Sequence, residues 1–216
     1  MAIKHHPDVS TLMSCSAGSQ PEALAAVVSS HLSMCPDCAR EVGRMALIGA
    51  ALFEVMAPAE VVGAAPVLEA RAREADAPPP ADIPPAGRGI PYPLQVRLGL
   101  SSFDDIPWRR LAPGVWDYRL PLTEGVAGDL RLVKVAPGLK VPEHGHGGEE
   151  LTLLLQGSYT DATGTYRTGD ISDLDDSVEH APVSDPAEGC ICLVASERKA
   201  RYKGLIARLL QPFTGL

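Results

Sequence analysis

The sequence predicts an α+β chain of two domains, a small helical bundle followed by a small β-barrel or jelly roll. Three observations predict it. Apolar residues recur at steps of three and four through the first part of the chain. Seven prolines then fall between Pro78 and Pro93, where missing amide protons and a fixed φ exclude regular helix and central strand. Beyond them, short runs rich in β-formers alternate with Gly, Pro and Asp turns. These changes divide the 216 residues into a helical unit over 1–76, an extended linker over 77–93 and a barrel over 94–216.

The helical elements come first. Leu12 and Cys15 belong to an expected first helix. Ser19-Gln-Pro-Glu22 fits a capping box, and Leu24, Val27 and Val28 follow at helical spacing. Another helix is expected to start at Pro36 or Asp37, with Val42, Met45, Gly49, Leu52 and Met56 as one buried stripe. A further helical stretch is expected over Ala59–Ala75, broken or kinked at Pro66.

In the second part, strands are expected at Val115–Leu122, Leu130–Ala136, Leu151–Gln156, Tyr166–Thr168, Val178–Val183 and Cys190–Ala195. Leu151, Leu153 and Leu155 share the outward parity of their strand, where a half-exposed sheet would be polar. Something must cover them. The candidates are the other sheet, a C-terminal segment with Leu205, Ile206, Leu209 and Leu210, or a second chain.

Composition excludes several classes of function. Nineteen Lys and Arg against 27 Asp and Glu give a net charge of −8, which argues against direct nucleic-acid binding. The longest apolar run, around Met45–Phe53, is far short of the roughly 18–20 residues of a membrane span. The N-terminus lacks the apolar core of a signal peptide, so a cytoplasmic location is expected. Five cysteines in a reducing compartment point to metal ligation or a reactive thiol rather than to disulfides.

Two constellations carry chemistry. His31, Cys35 and Cys38 read H-x3-C-x2-C, with His31 in the last turn of one helix and Cys38 opening the next. Two thiolates at a helix N-terminus suit a tetrahedral zinc ion, and the fourth ligand comes from His5, His6 or Cys15. A thioredoxin-like C-x-x-C would need a preceding strand, and a histidine-bearing helix stands there instead. In the barrel, Gly138, His144, His146, Glu150 and Gly157 read G-x5-H-x-H-x3-E-x6-G. The two histidines and Glu150 share one strand face. With His180 from a later strand they form a metal site for zinc, manganese, iron or nickel. The acidic residues near His180, among them Asp173 and Asp175, read as a solvated loop.

The barrel motif resembles motif one of the cupin superfamily, and Gly169-Asp170 with His180 resembles motif two, without its P-x-G. The first half resembles the zinc-binding anti-sigma domain. In this order, across a Pro-rich linker, they resemble the ChrR family of bacterial anti-sigma factors over nearly the whole chain. The resemblance implies a regulator and not an enzyme. It would bind an extracytoplasmic-function sigma factor one to one, block its access to core RNA polymerase, and release it under singlet oxygen or related oxidative stress through the cupin domain. It implies one zinc on His6, His31, Cys35 and Cys38, and a second zinc or other divalent metal on His144, His146, Glu150 and His180. Val61, Val62, Val67 and Leu68 are candidate partner contacts. The alternative is a metal-dependent cupin enzyme of the dioxygenase type, which needs an open coordination position and a redox metal. A third reading is a thiol switch acting through Cys35 and Cys38 alone.

Overall fold

The computed structural model describes residues 2–58, 89–198 and, for the backbone, Arg201–Tyr202. The expected helix over 59–75, the contact candidates Val61, Val62, Val67 and Leu68, and the C-terminal leucines and isoleucine lie outside the described residues, as does most of the linker.

Helices α1 (Val9–Ser16), α2 (Glu22–Met34) and α3 (Pro36–Val55) form the first part, and α4 (Tyr92–Leu98) leads into the barrel. Pro36 stands in the first turn of α3 and Pro93 in that of α4, where a missing N–H costs nothing. α4 therefore begins inside the stretch read as linker. The capping box at Ser19 does not form. Pro21 is the N-cap of α2, the Ser19 hydroxyl donates to the Ser14 carbonyl at 3.3 Å, and the Glu22 carboxylate is drawn away to Arg97 and to the Thr123 N–H. Those two donors hold the Glu22 carboxyl well below the usual range, at about 2. They tie α2 to α4 and to the loop that carries Thr123.

The barrel is antiparallel throughout. One sheet has the order β1 (Arg109–Ala112), β2 (Val115–Arg119), β3 (Asp129–Val135), β10 (Cys190–Ser196), β5 (Glu150–Thr160) and β6 (Thr165–Arg167). β7 (Ile171–Leu174) and β9 (Val183–Ser184) also pair with β5. A small second sheet joins β11 (Arg201–Tyr202), β4 (His144–Gly145) and β8 (Glu179–His180). The strand expected over 178–183 is thus two short ones, β8 and β9, parted before Pro182, which has no amide to donate. β5 turns at Gly157, with φ of 72°, and a Cβ there would lie 2.0 Å from the Gly189 carbonyl oxygen. The second framing glycine of the barrel motif is required by that approach.

Alternation along the central strands sorts residues cleanly. Asp129, Arg131, Val133, Thr152, Cys190, Cys192 and Val194 line a cavity of about 160 Å³ inside the barrel. Leu130, Leu132, Leu151, Leu153, Leu155 and Leu193 face outward and are buried. Among the described residues their cover is α2 of the same chain, an element not among the expected candidates. Ala23, Leu24, Val27 and Val28 lie on this face and belong to the same apolar cluster. At roughly 1.5–3 kcal/mol per buried aliphatic side chain, this is a large shared core.

The expected stripe of α3 is half wrong. Val42 and Met45 pack against the core, but Leu52 is 58% exposed and Met56 63%. α3 has 20 residues against eight in α1, so its second half extends past its neighbours. Leu47, Ile48, Phe53 and Val55 are exposed there too.

Because one core serves both parts, they should unfold together. Helix-sensitive circular dichroism and the fluorescence of Trp108 and Trp116, both in the barrel part, should give coincident urea transitions. Leu153→Ala should shift both by about 2–5 kcal/mol. Glu22 makes a second prediction. Its folded pKa is depressed, so its contribution is present above the unfolded value near 4.5 and is lost as pH falls toward 2. Denaturation midpoints should drop across that window, and less steeply for Glu22→Gln.

Candidate metal centres

The structure brings His6, His31, Cys35 and Cys38 together, with one ligand atom of each within 4.8 Å of the others. Local sequence explains three of them. His31 is in the last turn of α2, Cys35 is the extended residue between the helices, and Cys38 is in the first turn of α3. His6 arrives from the N-terminal strap, its Nδ1 at 3.2 Å from Cys38 Sγ and 3.5 Å from Cys35 Sγ. His5 and Cys15, the other candidates, are elsewhere. The His5 ring lies tilted against Tyr166, and Cys15 packs against the core.

Hydrogen bonding sets the tautomer of His31. Its Nδ1–H donates to the Gly169 carbonyl at 3.0 Å, which leaves Nε2 as a lone pair 3.4 Å from Cys38 Sγ. Burial pushes the imidazole pKa down to about 4, so the ring is a neutral ligand. Burial and the neighbouring Cys35 push the Cys38 thiol up to about 12. A bound cation reverses that balance and favours the thiolate.

The second cluster gathers His144, His146, Glu150 and His180, again within 4.8 Å. β4 supplies His144, the turn after it His146, the start of β5 Glu150 and β8 His180. β4 and β8 pair His144 directly with His180. The Nδ1–H of His144 donates to the Pro142 carbonyl at 2.9 Å, and that of His180 to Asp161 Oδ2 at 2.8 Å. In the neutral rings both Nε2 atoms then carry lone pairs, and they face each other at 3.2 Å. A cation between them satisfies both, which is the fit expected of a metal site. Burial would raise the Glu150 pKa, but the hydrogen bond with His146 and the three imidazoles bring it below the usual range. Burial likewise opposes the Asp161 carboxylate, yet His180 and Thr163 hold its pKa at about 2. Glu149 has the opposite parity and points away, toward Thr11.

Several supporting residues were invisible in the sequence. Asp161 carries no signal of its own in the sequence, and Gly169-Asp170 enters there only through its likeness to the second cupin motif. Asp173 read as part of a solvated loop, yet it accepts the Asp8 N–H at 2.9 Å and the Thr11 hydroxyl at 2.7 Å, pinning α1 to the barrel.

Comparison with known proteins agrees across the chain. Residues 98–200 match the family described as the ChrR Cupin-like domain. The whole chain is similar to anti-sigma-E factor ChrR of Cereibacter sphaeroides, 36% identical over 215 residues and 99% of each protein. Its fold is similar to that in the crystal structure of Rhodobacter sphaeroides SigE in complex with the anti-sigma ChrR, at a TM-score of 0.73 and 35% identity, over 90% of this chain and 99% of that one.

The donor sets lead to a stoichiometry. Loaded with a divalent metal and desalted, the native chain should keep two ions by elemental analysis. Cys35→Ala/Cys38→Ala should keep the barrel ion alone, and His144→Ala/Glu150→Ala the helical ion alone.

Proposed function

We propose an anti-sigma function for this chain, which belongs to the ChrR family of anti-sigma factors. The observation that carries it is similarity to an anti-sigma factor along 99% of both lengths, which takes in the helical part as well as the barrel. The chain binds an extracytoplasmic-function sigma factor one to one and holds it from core RNA polymerase. Residues 1–76 form the sigma-binding unit, the linker runs from 77 to the start of α4 at Tyr92, and the barrel part from there on is the sensory unit. The protein works in the cytoplasm. Among the described residues no helix is long and apolar enough to cross a membrane.

The exposed second half of α3 supports this reading. Leu47, Ile48, Leu52, Phe53, Val55 and Met56 place six large apolar side chains in water, the kind of patch that marks a protein interface. Val61, Val62, Val67 and Leu68 extend the same run of sequence.

Zinc occupies both centres in this proposal. Two imidazoles and two thiolates are a donor set for structural zinc, with no position left open. When bound, that ion supplies rigidity. His31 and Cys38 clamp α2 to α3, and His6 brings in the strap before α1. Three imidazoles and a carboxylate hold the barrel ion beside a cavity whose walls include Val133, Val135, Val141, Val194, Cys190 and Cys192. The cavity admits small oxidants of the singlet-oxygen type to these residues, and damage there releases the sigma factor.

The test is capture. A tagged full-length chain should bring down a sigma factor near one to one from its native host. Leu52→Asp/Phe53→Asp should weaken that complex by about 30-fold or more, as hot-spot residues do, with metal content and melting temperature unchanged. A chain that captures no sigma factor, and holds iron with substrate-dependent oxygen uptake, would overturn the reading in favour of a dioxygenase.

A further inference from the structure

An unbroken series of polar and ring contacts connects the two clusters. It begins at His180, whose Nδ1–H donates to Asp161 Oδ2. The Asp161 side chain is fully buried. Its other oxygen accepts the Thr163 hydroxyl at 2.6 Å and the N–H groups of Thr163 and Gly164 at 2.8 and 3.2 Å. A hydroxyl that has donated its single proton can only accept, so the Tyr166 O–H donates to Thr163 Oγ1, 3.0 Å away. The Tyr166 ring lies against the His5 ring, with centroids 4.4 Å apart. His5 Nδ1 is 3.3 Å from Asp170 Oδ2.

Asp170 then fixes the strap itself. It is 3% exposed. Its Oδ1 accepts the N–H groups of Lys4 and His5 at 2.7 and 3.1 Å, and its Oδ2 that of Arg167 at 2.9 Å. The Ile171 N–H donates to the His5 carbonyl at 3.2 Å. Gly169 leaves the space that Ile3 fills, since a Cβ there would meet Ile3 Cγ1 at 2.8 Å. The residue after His5 in the strap is His6.

We propose that Asp161, Thr163, Tyr166 and Asp170 are positioning residues that couple the two centres: the state of the His144/His146/Glu150/His180 cluster sets how firmly residues 3–6 are seated on the barrel, and thereby how firmly His6 holds the helical metal. The proposal rests on the sensory role given to the barrel above and identifies how its state reaches the helical part. The two-state element is the strap, seated or lifted. With an ion on its Nε2, His180 is a stronger donor to Asp161 and keeps the Asp161–Thr163–Tyr166 series aligned under His5. When a barrel ligand is lost, His180 is free to turn, and the support under His5 goes with it. His6 is then the ligand most readily released, because His31, Cys35 and Cys38 are fixed by α2 and α3.

Cobalt(II) is the probe. Its thiolate charge-transfer band reports the helical cluster, because the four barrel ligands carry no sulfur. The rate at which excess chelator removes that band is measured on the full-length chain with no sigma factor present. Emptying the barrel cluster with His144→Ala/His146→Ala should speed cobalt loss from the helical cluster about fivefold or more, the range of ordinary coupling. In a Tyr166→Leu background the same barrel substitutions should change the rate less than twofold. Thr163→Ala, which leaves the His5–Tyr166 stack in place, gives the same test if Tyr166→Leu does not fold. An unchanged rate on emptying the barrel would overturn the coupling. Full acceleration in both the Tyr166 and Thr163 backgrounds would overturn this route for it. Failure of the anti-sigma reading shows separately, as loss of capture by the native chain.

Discussion

Three leucines on one strand cannot be left in water. Leu151, Leu153 and Leu155 alternate with the cavity-lining residues of β5, so every residue that points into the barrel forces a neighbour to point out. Covering that outer face is a constraint on the whole chain, and α2 satisfies it. Once α2 lies there, its last turn brings His31 onto the turn before β7, where the Gly169 carbonyl fixes its tautomer. The helical cluster is therefore built at the junction of helices and barrel. It inherits one hydrogen bond and one strand of support from the barrel, although all four of its ligands lie in the first 38 residues.

The two clusters are supported by different electrostatics. His31 leans on a neutral carbonyl, whereas His180 leans on a buried carboxylate. A carboxylate makes the attached imidazole a stronger donor to a metal and offsets part of the ion's charge. That suits a cluster of three imidazoles with a single carboxylate ligand. The helical cluster already has two sulfurs to supply negative charge, so a neutral carbonyl is enough to orient His31.

Much of this was legible in the sequence, wherever the spacing was local. H-x3-C-x2-C put three ligands on two consecutive helix ends, and H-x-H-x3-E named three barrel ligands, although they stand on β4, the turn after it and β5 rather than on one strand. The α+β division followed from hydrophobic period and from proline placement. What escaped was set by contacts distant in sequence. Ser19 had the right neighbours for a cap, but Arg97 and Thr123 compete for Glu22 and win. The α3 stripe had the right period, but period says which residues share a face and not whether anything covers it. Spacing alone did not separate His6 from His5, and the family resemblance named His6; the physical reason is that Asp170 binds the amides of Lys4 and His5 while the His5 ring lies against Tyr166. Asp161 sits in the β5–β6 hairpin turn and Asp170 at the turn between β6 and β7, where aspartate is common for reasons of its own.

The bare second half of α3 has a consequence for the protein's life in a cell. A helix end with Phe53 and Val55 at 76% and 82% exposure is what chaperones and proteases recognise in a misfolded chain. Without its partner the protein carries that signal permanently, even when correctly folded. Its lifetime would then be set by the supply of partner, and surplus copies would be degraded rather than stored. The ratio of the two proteins could in this way be held near unity by turnover, without any need for matched synthesis.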